Sequence, residues 1–392
     1  MRIHQLTYST KPRGGVVHTL ALAEALAARG HEVTVWTLGR GGDRAFFRDV
    51  EPAVRVRVVP FAPRDDEAVG PRIVRSIAVL AAALAAAARD EGAPDVVHAQ
   101  DCISANAALD AGLAPVRTVH HLDRFTTPQL VACHERAIVA PVARLAVSGA
   151  VADELAAGWG LRPAIVGNGV DADRFAAAVH DPRTARWRQR LGPYVLALGG
   201  IEPRKGTLDL LEAWALLRVR RPDVRLVLAG GETLFDYRDY RAAFDARVEA
   251  LAAGPSGDAA RPVVLGTVDE ADLAPLVAGA AALGFVSVQE GFGLAALEAL
   301  AAGVPVVARR LPVLEEVFGG TVAYGQDPRS FADALDRVLG GDAPDPAAGR
   351  ALAAGARWDD VAARHEAAYA AVLRDGGDGG AALDLGGAVL AR

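Results

Sequence analysis

Two glutamates, Glu290 and Glu298, enclose a glycine-rich turn in the stretch EGFGLAALE, where a strand-like run gives way to a helical run. Glycine lets backbone N–H groups approach an anion closely, and a helix N-terminus adds unpaired N–H groups with partial positive charge. Gly291 and Gly293 supply the glycines, and residues 294–302 form the predicted helix. The pattern therefore predicts a diphosphate-binding site.

Glu298 lies one turn inside that predicted helix, among alanines and leucines that leave it no polar face. A carboxylate in such surroundings costs free energy unless hydrogen-bond donors reach it. The hydroxyls of a ribose would supply such donors. The alternative, a surface glutamate beside small alanines, is equally compatible with the helical pattern.

A second basic loop, GGIEPRKG, joins a predicted strand at 194–198 to a predicted helix at 207–219. Arg204 and Lys205 stand there at a helix N-terminus, at the carboxyl end of a strand. A lysine in this place can neutralise phosphate charge. Without that strand–loop–helix context, a solvated lysine would be the better interpretation.

The elements that must position these residues alternate between apolar strands and alanine-rich helices along most of the chain, which is typical of doubly wound parallel sheets. A chain of 392 residues is also too long for one hydrophobic core. We predict a first domain at 1–175, a charged linker at 176–192 and a second domain at 193–355. A helix at 356–374 is expected to pack back on the first domain, before a flexible, glycine-rich tail at 375–392.

The chain up to Leu373 resembles the retaining, family-4-type glycosyltransferases (glycosyl transferases group 1). The resemblance rests on EGFGLAALE and GGIEPRKG, and on AAGVPVVA and PVLEEV further along the chain. It implies an α/β GT-B fold, with two doubly wound, Rossmann-like parallel-sheet domains facing across a cleft. It also implies hexose transfer from a nucleotide-diphosphate sugar, a UDP- or GDP-sugar, to an acceptor hydroxyl, with retention and without a metal or cofactor.

The resemblance also assigns roles to residues. Lys205 would bind the donor phosphates, Glu298 the ribose, and Glu290 the transferred sugar. Further donor contacts are implied for Gly15, Arg204, Gly291, Phe292, Gly293 and Leu294. The family usually carries an arginine where this chain has Gly200. Arg204 either compensates for that loss or points away from the site.

Gly14 and Gly15 lie between the first predicted strand and a helix predicted at 17–29, in PRGGVVH. This stretch resembles the family's N-terminal glycine loop, which lies against donor phosphate and acceptor. Gly14 and His18 are accordingly expected on the acceptor side. Asn168 lies in VGNGVDADRF, which resembles the family's hinge-side segment, and is also assigned to the acceptor side, although a structural turn at Asn168 and Gly169 is the favoured alternative. Taken alone, the two glycines indicate only a turn, since a dinucleotide-binding fingerprint needs a third spaced glycine and an acidic partner.

Histidines cluster at predicted strand ends, in DVVHAQD and TVHHLD. His120 matches the family histidine near the anomeric carbon, a positioning or electrostatic group, although a register shift of one residue would place His121 there instead. For His98, a buried structural histidine and a functional one remain equal alternatives. A metal site is not expected, because no pattern such as HExxH accompanies these histidines.

Composition limits the binding partners and the cellular location that we expect for the protein. A formal net charge of −6 gives no basic footprint for nucleic acid. Two cysteines, Cys102 and Cys133, and no apolar signal core fit a reducing cytoplasm. The apolar run at 77–88 falls short of the roughly 20 residues that span a bilayer, so a buried helix with at most peripheral membrane contact is expected.

Two other functions share this architecture. A nucleotide-sugar epimerase would interconvert donor sugars without a transfer product. A non-catalytic nucleotide-sugar-binding protein would bind the donor without transfer, and Gly200 is the feature that favours it.

Ser148 is predicted to be the N-cap of a helix at 150–158.

Overall fold

In a computed structural model, the chain forms two compact units, Met1–Gly169 together with Trp358–Arg392, and Val170–Arg357. The structure describes residues 1–64, 67–123, 125–231, 237–254 and 257–375. Residues 376–392 of the predicted tail lie outside this part of the chain.

Each unit is built on one parallel sheet, seven-stranded in the first and six-stranded in the second. The strands are β1 (Arg2–Leu6), β2 (Glu32–Arg40), β3 (Val54–Phe61), β4 (Val96–Ala99), β5 (Pro115–Val119), β6 (Ala143–Ala146), β7 (Ala164–Ile165), β8 (Tyr194–Leu198), β9 (Arg225–Ala229), β10 (Val263–Gly266), β11 (Ala282–Phe285), β12 (Val306–Arg309) and β13 (Ala323–Gly325). Their orders are β3-β2-β1-β4-β5-β6-β7 and β10-β9-β8-β11-β12-β13.

Helices follow most strands, as the alternating pattern predicted. They are α1 (Gly14–Ala28), α2 (Val69–Glu91), α3 (Cys102–Asp110), α4 (Pro128–Val139), α5 (Gly149–Trp159), α6 (Ala172–Ala177), α7 (Pro182–Leu191), α8 (Thr207–Leu217), α9 (Arg238–Ala252), α10 (Glu270–Gly279), α11 (Leu294–Ala301), α12 (Pro312–Phe318), α13 (Pro328–Leu339), α14 (Pro346–Gly355) and α15 (Trp358–Asp375). The sheets carry the cores, because helices on both faces bury every residue of the inner strands β4, β5, β6 and β11.

The strand order reverses at one point in each sheet, between β1 and β4 and between β8 and β11. Loops that leave neighbouring strands on opposite sides of such a point diverge and leave a crevice at the carboxyl edge of the sheet. The glycine-rich loops after β8 and β11 are at this point in the second unit. Gly14 and Gln100 follow the corresponding strands of the first unit.

The predicted linker at 176–192 differs from the structure, in which most of it is helical. Asp181 accepts a hydrogen bond from the Arg183 N–H at 2.8 Å and caps α7, while Pro182 occupies its first turn. An Asp-Pro pair is a helix-start signal that the charged, turn-rich composition obscured. The two units instead meet along the chain between Gly169 and Val170.

The C-terminal helix α15 belongs to the first unit and packs against α1. Its Tyr369 is fully buried, and the Gln5 amide in β1 donates to the Tyr369 hydroxyl at 3.0 Å. This segment therefore adds polar groups as well as apolar surface to the first core.

Two helices start or extend further than predicted. Gly14 is the first residue of α1, so Gly14 and Gly15 form a helical first turn and not a loop. Helix α2 has 23 residues, longer than the apolar run at 77–88 that the sequence pattern indicates. By length and composition alone, this helix could cross a membrane. Residues such as Ile73, Leu80 and Leu84 nevertheless bury one face of α2 in the first unit.

Ser148 caps α5 as predicted, accepting a hydrogen bond from the Val151 N–H at 3.2 Å. We expect Ser148→Ala to lower the free energy of unfolding by about 1 kcal/mol, because a buried helix-end N–H loses its acceptor. Asp153→Ala, on the exposed face of the same helix, is the control and should change it by under about 0.5 kcal/mol. Urea denaturation followed by tryptophan fluorescence measures both, and equal effects would contradict the capping role.

Candidate functional site

An ion pair joins the two glycine-rich loops of the second unit. Lys205, at the end of the loop after β8, donates from Nζ to the Glu290 carboxylate at 2.5 Å. Both side chains are half-buried, with 20% and 10% of their surfaces exposed. Gly199 and Gly200 line a small pocket beside them together with Lys205, Thr207 and Ser287. The structure thus brings together two sequence-predicted site residues that are far apart in the chain.

Arg204 reaches the same carboxylate. Its guanidinium lies 3.2 Å from Glu290 Oε1 and 3.4 Å from Glu202 Oε1. Gly200 has no side chain to offer at the start of this loop. The alternative that Arg204 points away from the site is therefore wrong, since its guanidinium stands beside Lys205.

The two cations dominate the electrostatics of this cluster. Burial by itself raises the pKa of Glu290, but Lys205 and Arg204, helped by hydrogen bonds from Lys205 and Ser287, lower it to about 2. Glu290 is therefore ionised at neutral pH and offsets one of the two positive charges, while Arg204 also pairs with Glu202. A bound anion would compete with Glu290 for both.

Two glycines hold the loops in shapes that other residues would resist. Gly206 follows Lys205 with φ of 64°, and a Cβ there would lie 2.4 Å from the Val286 carbonyl oxygen. Gly293 precedes α11 with φ of 108°, and a Cβ there would lie 2.8 Å from the Phe318 ring. Both the left-handed backbone and the close packing require glycine. The first N–H groups of α11 consequently start at a bare backbone turn.

Glu298 lies on α11, half-buried, and no donor among the described residues forms a hydrogen bond with its carboxylate. The nearest cation, Arg174 of α6, is already bound to Glu270 of α10, donating to its carboxylate and, at 2.6 Å, to its carbonyl. Burial, with a smaller contribution from Glu270, raises the pKa of Glu298 to about 8. Its carboxylate has no hydrogen-bond donor among the described residues, and the ribose contact stays a prediction.

His120 follows β5 in the first unit. Its Nε2 lies 2.9 Å from Gln100 Oε1, and the ring packs edge-on against His18 with centroids 4.8 Å apart. Gly15 is close to the same ring, since a Cβ built on it would lie 3.7 Å from His120 Cδ2. Burial and then the nearby His18 hold the pKa of His120 well below 6.5, so the ring is neutral at pH 7. A neutral ring fits positioning and not the electrostatic role.

The other predicted histidines take different places. His98 is fully buried, with Nδ1 bound to Tyr369 and Nε2 to Thr118, each at 2.7 Å, which makes it the structural histidine of the two alternatives. His121 turns instead to Asp123, 3.0 Å away. The ambiguity between His120 and His121 is thereby reduced, since only His120 joins the polar cluster around Gln100.

His18 and Asn168 were expected on the acceptor side, but the structure places both in the interior. They are 0% and 5% exposed, and they are hydrogen-bonded to each other through His18 Nδ1 and Asn168 Oδ1. Trp358 covers the His18 ring, with centroids 5.3 Å apart. In this structure they hold the first unit together, while Gly14 is exposed.

Sequence reasoning missed Arg174, Glu270 and Gln100. Gln100 had a usable signal, because it follows a strand directly in DVVHAQD at the carboxyl edge of a parallel sheet. Arg174 and Glu270 had none, because their ion pair depends on helices far apart in the chain. Among the described residues, no group of three or more His, Cys, Asp or Glu side chains is placed to hold a metal ion.

Comparison with known proteins places these features in a family. The profile of glycosyl transferases group 1 matches residues 192–340, and that of glycosyltransferase family 4 matches residues 12–174. Two solved structures share the fold: Anabaena Alr3699/HepE in complex with UDP and glucose (TM-score 0.70, 20% identity, 94% of this chain and 99% of that chain) and the sucrose-phosphate synthase of Thermosynechococcus elongatus (TM-score 0.73, 20% identity, 95% and 99%).

Relatives with higher identity cover nearly the whole chain. The D-inositol 3-phosphate glycosyltransferase of Xylanimonas cellulosilytica is 32% identical over 418 residues, 94% of this chain and 96% of that protein. The protein of the same name from Mycobacterium avium is 32% identical over 397 residues, 93% and 91%. With its two parallel-sheet units, the chain therefore belongs to the group 1, family 4 glycosyltransferases of the GT-B fold.

Proposed function

We propose that this glycosyltransferase moves a hexose from a nucleotide-diphosphate sugar to an acceptor hydroxyl, with retention of the anomeric configuration. The observation that carries the proposal is the convergence of Arg204 and Lys205 on Glu290, beside the N-terminus of α11. Two half-buried cations and a row of helix N–H groups suit a diphosphate. The nucleotide sugar enters as substrate, and no cofactor is proposed.

In the proposed complex, the diphosphate takes over Arg204 and Lys205 from Glu290. The released carboxylate then accepts hydrogen bonds from hydroxyls of the transferred sugar. Phe292, Gly293 and Leu294 lie next to Glu290 in the chain, so their backbone would border the sugar and the phosphates.

The chemistry follows from charge placement. The bond between the anomeric carbon and the diphosphate oxygen breaks, and Arg204, Lys205 and the α11 N-terminus stabilise the departing diphosphate. The acceptor oxygen attacks from the same face and forms the new glycosidic bond, while its proton passes to the diphosphate oxygen. The cations of the protein do this work, so the proposed reaction needs no metal.

The donor base and acceptor have weaker support. UDP is bound in the Anabaena structure, and the relatives from Xylanimonas and Mycobacterium carry inositol 3-phosphate in their names. UDP-sugars and inositol 3-phosphate are therefore the first substrates to test. An epimerase is disfavoured, since the family and these relatives are transferases. Two free cysteines fit the cytoplasm as the proposed location.

Thermal-shift measurements with UDP-, GDP- and ADP-sugars test the donor class, and we expect one nucleotide series to raise Tm. The selected α-linked donor is then incubated with inositol 3-phosphate and other polyol or sugar acceptors, with and without EDTA. Proton NMR of the first-formed product should show the α-anomer in both samples. A β-product would refute retention, and interconverted donor without transfer would favour the epimerase.

The roles of the two cations are tested by Lys205→Ala and Arg204→Ala. Each should weaken binding of the selected nucleoside diphosphate by about 10- to 100-fold, because a charge-assisted hydrogen bond contributes about 1.5–3 kcal/mol. The nucleoside monophosphate should be affected less. Isothermal titration calorimetry measures both ligands.

Arg220→Ala is the matched control, since Arg220 is an exposed arginine of the same unit paired with Asp333 at 2.9 Å. It should leave affinity unchanged. Unchanged affinity in Arg204→Ala alone would show that Arg204 does not replace the missing arginine at position 200. Unchanged affinity in both site variants would remove the diphosphate site.

The pKa of Glu298 gives a pH-dependent test. If ribose hydroxyls donate to its carboxylate, the bound state favours the ionised form and lowers the pKa from about 8. Affinity should then rise with pH by up to about tenfold per unit between roughly pH 6 and 8 and level off above. Near pH 7, calorimetry in buffers of different ionisation enthalpy should detect proton release on binding.

Glu298→Gln separates this effect from titration of the nucleotide itself. Glutamine keeps an acceptor oxygen but does not ionise, so any slope that remains belongs to the ligand. Its folded state should also escape the stability loss that wild type suffers as pH rises from about 4.5 to 8, where folding opposes ionisation. Identical pH profiles for both proteins would rule out a ribose contact by Glu298.

A further inference from the structure

A chain of hydrogen-bonded side chains runs through the interior of the first unit and ends at His120. The His120 Nε2 lies 2.9 Å from Gln100 Oε1, and the Gln100 amide donates to Gln5 Oε1 at 3.0 Å. The Gln5 amide in turn donates to the Tyr369 hydroxyl at 3.0 Å. Gln5 and Tyr369 are fully buried and Gln100 is 3% exposed, so bulk solvent does not reach these groups.

The series of hydrogen bonds continues beyond Tyr369. Its hydroxyl accepts from Gln5, and among the described residues His98 Nδ1, 2.7 Å away, is the acceptor for its own O–H. His98 Nε2 then carries the proton and donates to Thr118 Oγ1, also at 2.7 Å. Each of these donors meets an acceptor, and the Gln100 amide nitrogen also lies 3.3 Å from both ring nitrogens of His98. Flipping the side-chain amide of Gln5 or Gln100 alone would place two oxygens, or two N–H groups, opposite each other. The donor-to-acceptor direction of the hydrogen-bond chain is therefore shared by all its members.

This direction determines the tautomer of His120. Gln100 Oε1 can only accept, so His120 Nε2 must carry the proton and Nδ1 keeps its lone pair. In the described part of the chain no group bonds to Nδ1, and this atom is not among the fully buried polar atoms. Gly15 lies on the Cδ2–Nε2 side of the ring. The ring therefore presents one open acceptor.

The surroundings keep that acceptor neutral. The titratable and charged groups around the ring are His18 from α1, His98 from β4, Arg117 from β5 and the neighbouring His121. Each of them lowers the pKa of His120 further below the value that burial sets. A neutral imidazole nitrogen with a free lone pair suits a hydroxyl, which donates one hydrogen bond without carrying charge.

We propose that Gln100 is a positioning residue for glycosyl transfer: it holds His120 in the Nε2-protonated tautomer and thereby presents the Nδ1 lone pair to a hydroxyl of the bound sugar. The sugar-binding half of this statement rests on the proposed function, whereas the tautomer does not. Tyr369 anchors the Gln100 amide through Gln5, so the C-terminal helix α15 orients a residue at the end of β5. Gln100 itself touches no substrate in this assignment.

The tautomer is measured in the ligand-free protein by long-range proton–nitrogen NMR of the histidine rings at about pH 7. Both His120 and His98 should be protonated on Nε2 and remain neutral. Protonation of both rings on Nδ1 would mean that the chain runs in the opposite direction and would overturn the proposal. A mixture of tautomers at His120 would overturn it as well, because Gln100 would then fix nothing.

Gln100→Met removes the acceptor while keeping the length and most of the volume of the side chain. We expect a mixed His120 tautomer, a kcat lower by roughly tenfold or more, and a donor KM within about twofold of wild type, since the misplaced group acts during transfer. Thr34→Val is the matched control. Thr34 lies in β2, is 2% exposed and is not a member of the hydrogen-bond chain, so both the His120 tautomer and kcat should stay unchanged.

The outcomes separate the two proposals. If Gln100→Met shifts the tautomer but leaves kcat as high as in Thr34→Val, Gln100 does not position His120 for transfer. If Gln100→Met fails to fold, Gln100→Leu and Gln5→Met interrupt the same chain, and each should shift the His120 tautomer. A wild-type protein with the expected tautomer that transfers no sugar contradicts the proposed function and not the tautomer assignment.

Discussion

The ion pair between Lys205 and Glu290 sets the form of the site in the second unit. It joins the loops that leave β8 and β11, the two strands on either side of the point where the strand order reverses. Arg204 shares the same carboxylate and also pairs with Glu202, so two carboxylates face the two cations in this structure. The cations become available to an anion when Glu290 turns to another partner. A site of this kind can bind an anion strongly without leaving two buried cations unpaired in the free protein.

Gly206 and Gly293 shape the two loops that the Lys205–Glu290 ion pair joins. Each adopts a left-handed backbone in a place where a Cβ would clash, so the loops can bring Lys205 and Glu290 together only with glycine there. Glu298 is the opposite case, a carboxyl group with no hydrogen-bond donor among the described residues, and its pKa is raised to about 8. The two glutamates lie on neighbouring segments and differ in pKa by several units, because Glu290 meets two cations whereas burial and the nearby Glu270 raise the pKa of Glu298.

In the first unit, hydrogen bonds orient a neutral group, the imidazole ring of His120. His120 stands at a strand end, where its ring has freedom to turn, and the hydrogen-bond chain through Gln100 and Gln5 removes that freedom. The anchor of the chain is Tyr369, on a helix that comes last in the sequence and belongs to the first unit. The return of α15 thus has a use beyond covering apolar surface.

Local pattern determined the alternation of strands and helices, the cap at Ser148 and the glycine turn before α11, because each depends on residues a few positions apart. The same was true of the proposed diphosphate site, in which a strand, a glycine loop and a helix start follow one another. Only the tertiary structure decided that Arg204 faces Glu290, that His18 and Asn168 are interior, and that Gln100 holds His120. Those contacts join residues from separate elements, up to 364 positions apart for Gln5 and Tyr369, and no local pattern records which side chains packing will bring together.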